Sequence, residues 1–207
     1  MKNITFVFLF ALFLSGCSSS IQLAQKDSNR IKSISFNQNV KIPDKVFYQG
    51  SRQTVGLMFG AIGILIAHSS ETNDDLIMAH LKKNNINIGK IAIQEFEKQI
   101  KHNSRFANKR FVSNQENADA TFVLEVSAYG IAKIQGFSNL YKPVLRLTGK
   151  LVDNQNKTIW EDYNIIASKN SNIQGIPFKT YLSKPGAMRK KFELITKNVV
   201  SLLIENL

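Results

Sequence analysis

The stretch Ala120-Thr121-Phe122-Val123-Leu124-Glu125-Val126-Ser127-Ala128 decides the fold. Ala120, Phe122, Leu124, Val126 and Ala128 point one way, and Thr121, Glu125 and Ser127 the other. A period of two marks a strand with one buried and one wet face. The pattern runs to Ile134 and breaks over residues 136–139. It resumes over 144–153, with Leu145, Leu147 and Leu151 against Arg146, Thr148 and Lys150. Asp153-Asn154-Gln155-Asn156 is turn chemistry, because short Asp and Asn side chains bond to their own backbone and tolerate left-handed conformations. Residues 157–168 read as the return strand, with Ile159, Tyr163, Ile165 and Ala167 on one face. Together these strands predict an antiparallel three-stranded meander.

Downstream, residues 169–186 read as a long polar loop containing Gly175, Pro177 and Pro185. A helix over 187–206 closes the chain, with Met188, Phe192, Ile195, Val199 and Leu202/Leu203 as its buried stripe. Upstream, 114–119 is a turn and 110–113 a short strand. A helix over 87–102 carries Ile88, Ala92, Phe96 and Ile100, widened by Ile91, with Glu95, Glu97, Lys98 and Lys101 outside. Another helix opens at Asp74-Asp75 and closes at Lys82-Lys83, charges that suit the macrodipole. Residues 31–40 predict a first strand with Ile34 and Phe36 on one face. Pro43 interrupts it, 45–48 is a short extended piece, and Tyr48-Gln49-Gly50-Ser51 reads as a turn. Strands and helices segregate, so the expected class is α+β: one sheet ending in the meander, with amphipathic helices packed on a face.

One stretch stands outside this plan. Residues 55–67 have no polar side chain, yet thirteen residues are too few to span a bilayer as a helix. Gly56, Gly60 and Gly63 fall near one helical face, a spacing that permits close backbone approach. Three readings stand: buried core, a lipid-touching surface, or a self-association face.

The amino terminus has one positive charge, Lys2, an apolar run from Ile4, and then Leu14-Ser15-Gly16-Cys17. Charged, apolar and small residues in that order read as an export signal over 1–16. The last four residues resemble the lipobox of bacterial lipoproteins. The resemblance implies cleavage before Cys17 and a diacylglyceryl group on its thiol. Ser18 and Ser19 follow with no aspartate, which in such lipoproteins from Gram-negative bacteria implies the outer membrane, facing the periplasm. Residues 17–30 are then a polar tether and 31–207 a single periplasmic domain.

Cys17 is the only cysteine, so the remaining domain has no disulfide and no cysteine-based metal site. The formal charge of +12 falls to +11 once Lys2 leaves with the signal. A basic, membrane-held protein can meet anionic head groups or acidic cell-wall polymer. Nucleic acid is not an expected partner of an exported chain.

Asn117-Ala118-Asp119-Ala120 leads into a strand, and the run from Leu145 to Asp153 through Lys157-Thr158-Ile159-Trp160-Glu161 forms a hairpin. Both patterns are similar to envelope lipoproteins whose domain resembles the TolB amino-terminal or CsgG-like α/β fold. The resemblance implies an accessory or secretion-linked role. It carries over no functional residue except Cys17.

Catalytic chemistry finds little in the sequence. His68, His80 and His102 lack the four-residue spacing of a helix-borne metal pair, and there is no Gly-x-Ser-x-Gly elbow. Asp74/Asp75 start a helix, Glu95/Glu97 lie on a wet face, and Glu161/Asp162 straddle a strand. No metal and no cofactor are expected. Lys179, Lys184, Arg189, Lys190 and Lys191 place five cations around the start of the last helix with no acid among them, a candidate anion or partner contact. The leading expectation is a non-enzymatic envelope lipoprotein that binds a protein partner or itself. The alternatives are an oligomeric secretion or transport component using 55–67, and a cell-wall hydrolase.

Overall fold

The computed structural model describes residues 20–50, 73–134, 138–167, 170–205 and 207. The segment ending in Cys17 and the 55–67 stretch with Gly56, Gly60 and Gly63 lie outside the described residues, as does His68. The elements, in chain order, are α1 (Gln25–Arg30), β1 (Ser33–Phe36), β2 (Phe47–Gln49), α2 (Asn73–Lys83), α3 (Ile88–Lys101), β3 (Arg110–Phe111), β4 (Ala120–Lys133), β5 (Leu140–Asp153), β6 (Thr158–Ile166), β7 (Ile176–Pro177), α4 (Phe178–Ser183) and α5 (Ala187–Ile204). The fold is α+β, and β4, β5 and β6 form the antiparallel meander. The strand order is β3-β1-β4-β5-β6. Two short strands flank the long pair at its far end: β2 runs parallel to the end of β4, and β7 pairs with the start of β5.

Both outer meander strands change phase part-way. The β4–β5 register shifts between Val126 and Ala128. Ser127 is the extra residue of a bulge, and it is exposed. Beyond it Tyr129 and Ile131 take the core side, not Ala128. A second shift lies between Leu151 and Val152, opposite Ile159. Trp160 and Ile166 are therefore buried, whereas Tyr163 is exposed. The expected inner row of Ile159, Tyr163, Ile165 and Ala167 does not form, because one added residue moves every later side chain to the opposite face.

Helices α3 and α5 cover one face. The stripe Ile88, Ile91, Ala92, Phe96 and Ile100 is buried as the spacing predicts. So are Met188, Phe192, Ile195, Val199 and Leu203 of α5, while Leu202 is exposed. Phe122 sits centrally, with the rings of Phe96, Phe106, Phe36 and Trp160 at 5.1, 5.6, 5.7 and 6.0 Å. Each such ring contributes about 1.5–3 kcal/mol by burial, and aromatic pairing adds about 0.5–1.5 kcal/mol. Gly149 makes room for the cluster: a Cβ there would lie 2.8 Å from Trp160 and 3.1 Å from Leu203.

Residues 20–30 differ from a free tether. Ile21 and Glu161 exchange two backbone hydrogen bonds, of 2.7 and 2.9 Å, and Leu23 is buried. Helix α1 is too short and polar to persist alone. Lys109 holds its end by donating to the carbonyls of Ser28 and Ile31, at 2.7 and 2.8 Å. The span 169–186 is likewise not all loop. It contains β7 and α4, with Ile173 and Tyr181 buried. Tyr48 and Gln49, expected in a turn, belong to β2.

Candidate functional site

The two acids at the lower end of the sheet are structural. Asp119 accepts from the Lys32 and Ser33 amides, both at 2.8 Å, and from the Ser33 hydroxyl at 3.0 Å. These bonds hold its pKa below the ordinary carboxylate value. The Ala-Asp-Ala turn thus fastens β1 beside β4. Asp153 accepts from the Arg30 guanidinium at 2.8 Å and from the amides of Gln155 and Lys157. Arg30 is the main cause of its depressed pKa.

Among the described residues, helices α3 and α5 leave the other face of the sheet free of their packing. Successive cross-strand rows run over it. Ser35 and Thr121 share a 2.8 Å hydrogen bond and lie in line with Val152. The next row is Val123, Lys150, Glu161 and Ile21, with Lys150 and Glu161 paired at 3.0 Å. Then come Lys41, Glu125, Thr148 and Tyr163, with Lys41 to Glu125 at 3.9 Å. In the last row Arg146 lays its guanidinium over the Tyr163 ring, 4.7 Å from its centre. Ile21 and Tyr163 are among the exposed large apolar side chains, at 38% and 39%. Sequence reasoning read the polar members of β5 correctly but placed Tyr163 on the wrong face. The β6 bulge carries no distinctive residue that would have signalled it.

Two of the five cations near α5 are engaged by backbone carbonyls. Arg189 donates to the carbonyls of Asn84 and Asn85, at 3.2 and 3.1 Å, just past the end of α2. A cation is misplaced at its own helix start, but here it serves the carboxyl end of another helix. Lys191 donates to the Gln174 carbonyl at 2.6 Å, and burial together with Lys190 lowers its pKa. Lys179, Lys184 and Lys190 are exposed.

Other titratable pairs are separated by their partners. Glu97 pairs with Lys101 at 3.2 Å, whereas Glu95 lies 3.9 Å from Lys98. His102 Nδ1 meets the Lys98 carbonyl, and burial lowers the pKa of His80. Among the described residues no group of three or more His, Cys, Asp or Glu could hold a metal ion, and no helix is long and apolar enough to cross a membrane. A shallow hollow between α3 and α5 is lined by Glu95, Lys98, Gln99, His102 and Lys197.

At the upper end of the sheet the Tyr48 and Tyr141 rings stack at 5.5 Å, with their hydroxyls 2.7 Å apart, and Phe178 packs edge-on at 5.0 Å. Burial raises the Tyr48 pKa. Helix α2 packs beside β2 here, and burial together with Asp75 raises the Asp74 pKa.

No protein-family model matches the chain, and no curated protein matches it in sequence. Among solved structures it is similar in outline to a PelC dodecamer subunit from Paraburkholderia phytofirmans, with 11% identity over 91% of this chain and 92% of that one, at a TM-score of 0.37. A DUF330 protein from Xanthomonas campestris gives 11% identity, 83% and 82% coverage, and a TM-score of 0.39. A minor lipoprotein from Acinetobacter baumannii gives 12% identity, 84% and 92% coverage, and a TM-score of 0.27.

Proposed function

We propose that the protein is a non-enzymatic accessory lipoprotein of the cell envelope, a partner-binding α+β module held on the outer membrane by lipid on Cys17 and facing the periplasm. The observation that carries this reading is the first described pairing of the chain. Ile21 is paired into the sheet four residues after Cys17, so cleavage before Cys17 leaves every described element intact. Each buried methylene contributes about 0.8 kcal/mol and a single chain binds only marginally, so several acyl chains, palmitate among them, make the attachment durable. Asp119 and Asp153 are engaged in fastening the lower end of the sheet, a structural role for both carboxylates.

Fractionation tests the anchor. The wild-type protein sediments with the outer membrane, its amino-terminal peptide carries the mass of a diacylglyceryl cysteine, and Cys17→Ser moves to the soluble fraction. A free Cys17 thiol in soluble wild-type protein overturns the reading.

The packing of α2 beside β2 favours a second reading, an oligomeric component of a secretion or transport assembly, because it brings together the described elements on either side of residues 51–72. Their apolar run with Gly56, Gly60 and Gly63 would supply a membrane or self-association face. Crosslinking in the native envelope separates the two: the first predicts a different protein as the main product, the second a ladder of this chain.

A further inference from the structure

We propose that the helix-free face of the sheet is the surface that lies against anionic lipid head groups when the protein is anchored. The proposal rests on the reading that Cys17 carries lipid, and it adds which way the domain is turned. Ile21 is fixed to β6 by two backbone hydrogen bonds. Cys17 stands three residues before Ser20, and three Cα steps reach about 11 Å at most. A domain of this length has a radius of gyration of roughly 16 Å. The leash is therefore shorter than the domain's own radius, and the surface beside Ile21 must stay close to the bilayer.

Two surfaces border that point. Residues directly opposite in an antiparallel pair share a face, so Ile21 projects with Glu161 on the helix-free side. That side offers Ile21 and Tyr163, an apolar and an amphipathic side chain suited to the head-group boundary. Lys41, Arg146 and Lys150 outnumber Glu125 and Glu161 there, and the Lys41 side chain is 81% exposed. Lysine and arginine near an anionic bilayer are drawn to it. On the opposite side α5 is also basic, with Lys190 and Lys197 exposed, so the position of Ile21 and not net charge selects the helix-free face.

Lysine labelling of the full lipidated protein tests this with its natural residues. The protein is reconstituted in phosphatidylethanolamine–phosphatidylglycerol vesicles and treated with a water-soluble acylating reagent, and modification is read peptide by peptide. The reference is soluble Cys17→Ser protein. Labelling of Lys41 is expected to fall several-fold on the vesicles while Lys190 and Lys197 are unchanged. The amino-terminal peptide reports the anchor separately. If it carries lipid while Lys41 stays fully reactive, or if Lys190 and Lys197 are protected instead, the orientation is overturned and the anchor stands. If Cys17 is unmodified, the anchor reading fails and the orientation falls with it. Protection of Lys41 in the lipid-free reference that grows with protein concentration assigns the face to a second copy and overturns the proposal.

Discussion

Asp119 shows how one carboxylate can fix the entry of a strand. It gathers two backbone amides and a hydroxyl from Lys32 and Ser33, far away in sequence. Replacing it with alanine leaves those donors without their acceptor, a loss of about 1–3 kcal/mol that urea denaturation will read. The pH dependence follows from the direction of the shifts. Asp119 and Asp153 are both depressed in the folded state. As pH falls, the unfolded chain takes up protons first, near its ordinary value of about 4. Their contribution is therefore complete above that value and is lost as pH drops through the lower folded values. The double variant Asp119→Asn/Asp153→Asn is expected to be less stable at neutral pH and to show a flatter acid limb. Gly149 makes the opposite point, since its usefulness lies in what is missing. Gly149→Ala drives a methyl against Trp160, costs about 1–3 kcal/mol by overpacking, and shifts the emission of the protein's single tryptophan.

At the scale of elements, the two bulges decide which side chains meet the core. Deleting Ser127 would place Val126 and Ala128 on successive rungs opposite Leu147 and Arg146, a regular ladder that keeps Tyr129 and Ile131 on the core side. That variant is expected to keep its near-ultraviolet circular dichroism, and loss of the signal would show that the bulge itself is needed for packing. Arg189→Ala releases the carbonyls that follow α2 and is expected to lower stability by about 1 kcal/mol, measured by thermal unfolding. The bulges also mark the limit of what the sequence reveals. Helices α3 and α5 were legible because the 3.6-residue stripes from Ile88 to Ile100 and from Met188 to Leu203 are nearly unbroken. The meander was legible because alternation survives on either side of each bulge. The phase beyond Ser127 and Ile159 was not, since any residue can occupy a bulge. Helix α1 was hidden because its six polar residues gain stability from Lys109, seventy-nine positions past Arg30. The segment containing α4 was hidden by Gly175 and Pro177, although Ile173, Ile176, Phe178 and Tyr181 carry an apolar signal. The helix-free face was half visible in Arg146, Thr148 and Lys150, whereas the carbonyls that Arg189 and Lys191 meet belong to other segments and could not be read from spacing.

For the whole molecule, the described chain meets residues 1–19 and 51–72 at different places. Ile21 joins the β6 edge, whereas β2 and α2, the elements on either side of residues 51–72, pack together at the upper end of the sheet. Because those elements are already adjacent, replacing 51–72 with a short glycine–serine linker is expected to preserve the fold and the melting temperature to within a few degrees, read by circular dichroism, since shortening a closed loop costs little. Loss of cooperative unfolding in that variant would place 51–72 in the core. At the opposite end of the sheet, Arg105 donates to the Leu23 carbonyl at 2.8 Å and also to the carbonyl of Leu207. One guanidinium thus clasps Leu23 and Leu207, so two stretches far apart in the linear order of the chain lie side by side. A circular permutant that joins 207 to 23 and opens at the exposed 154–156 turn should reach the same native state, giving a form in which the leash can be moved to a different corner of the domain while its surface stays the same.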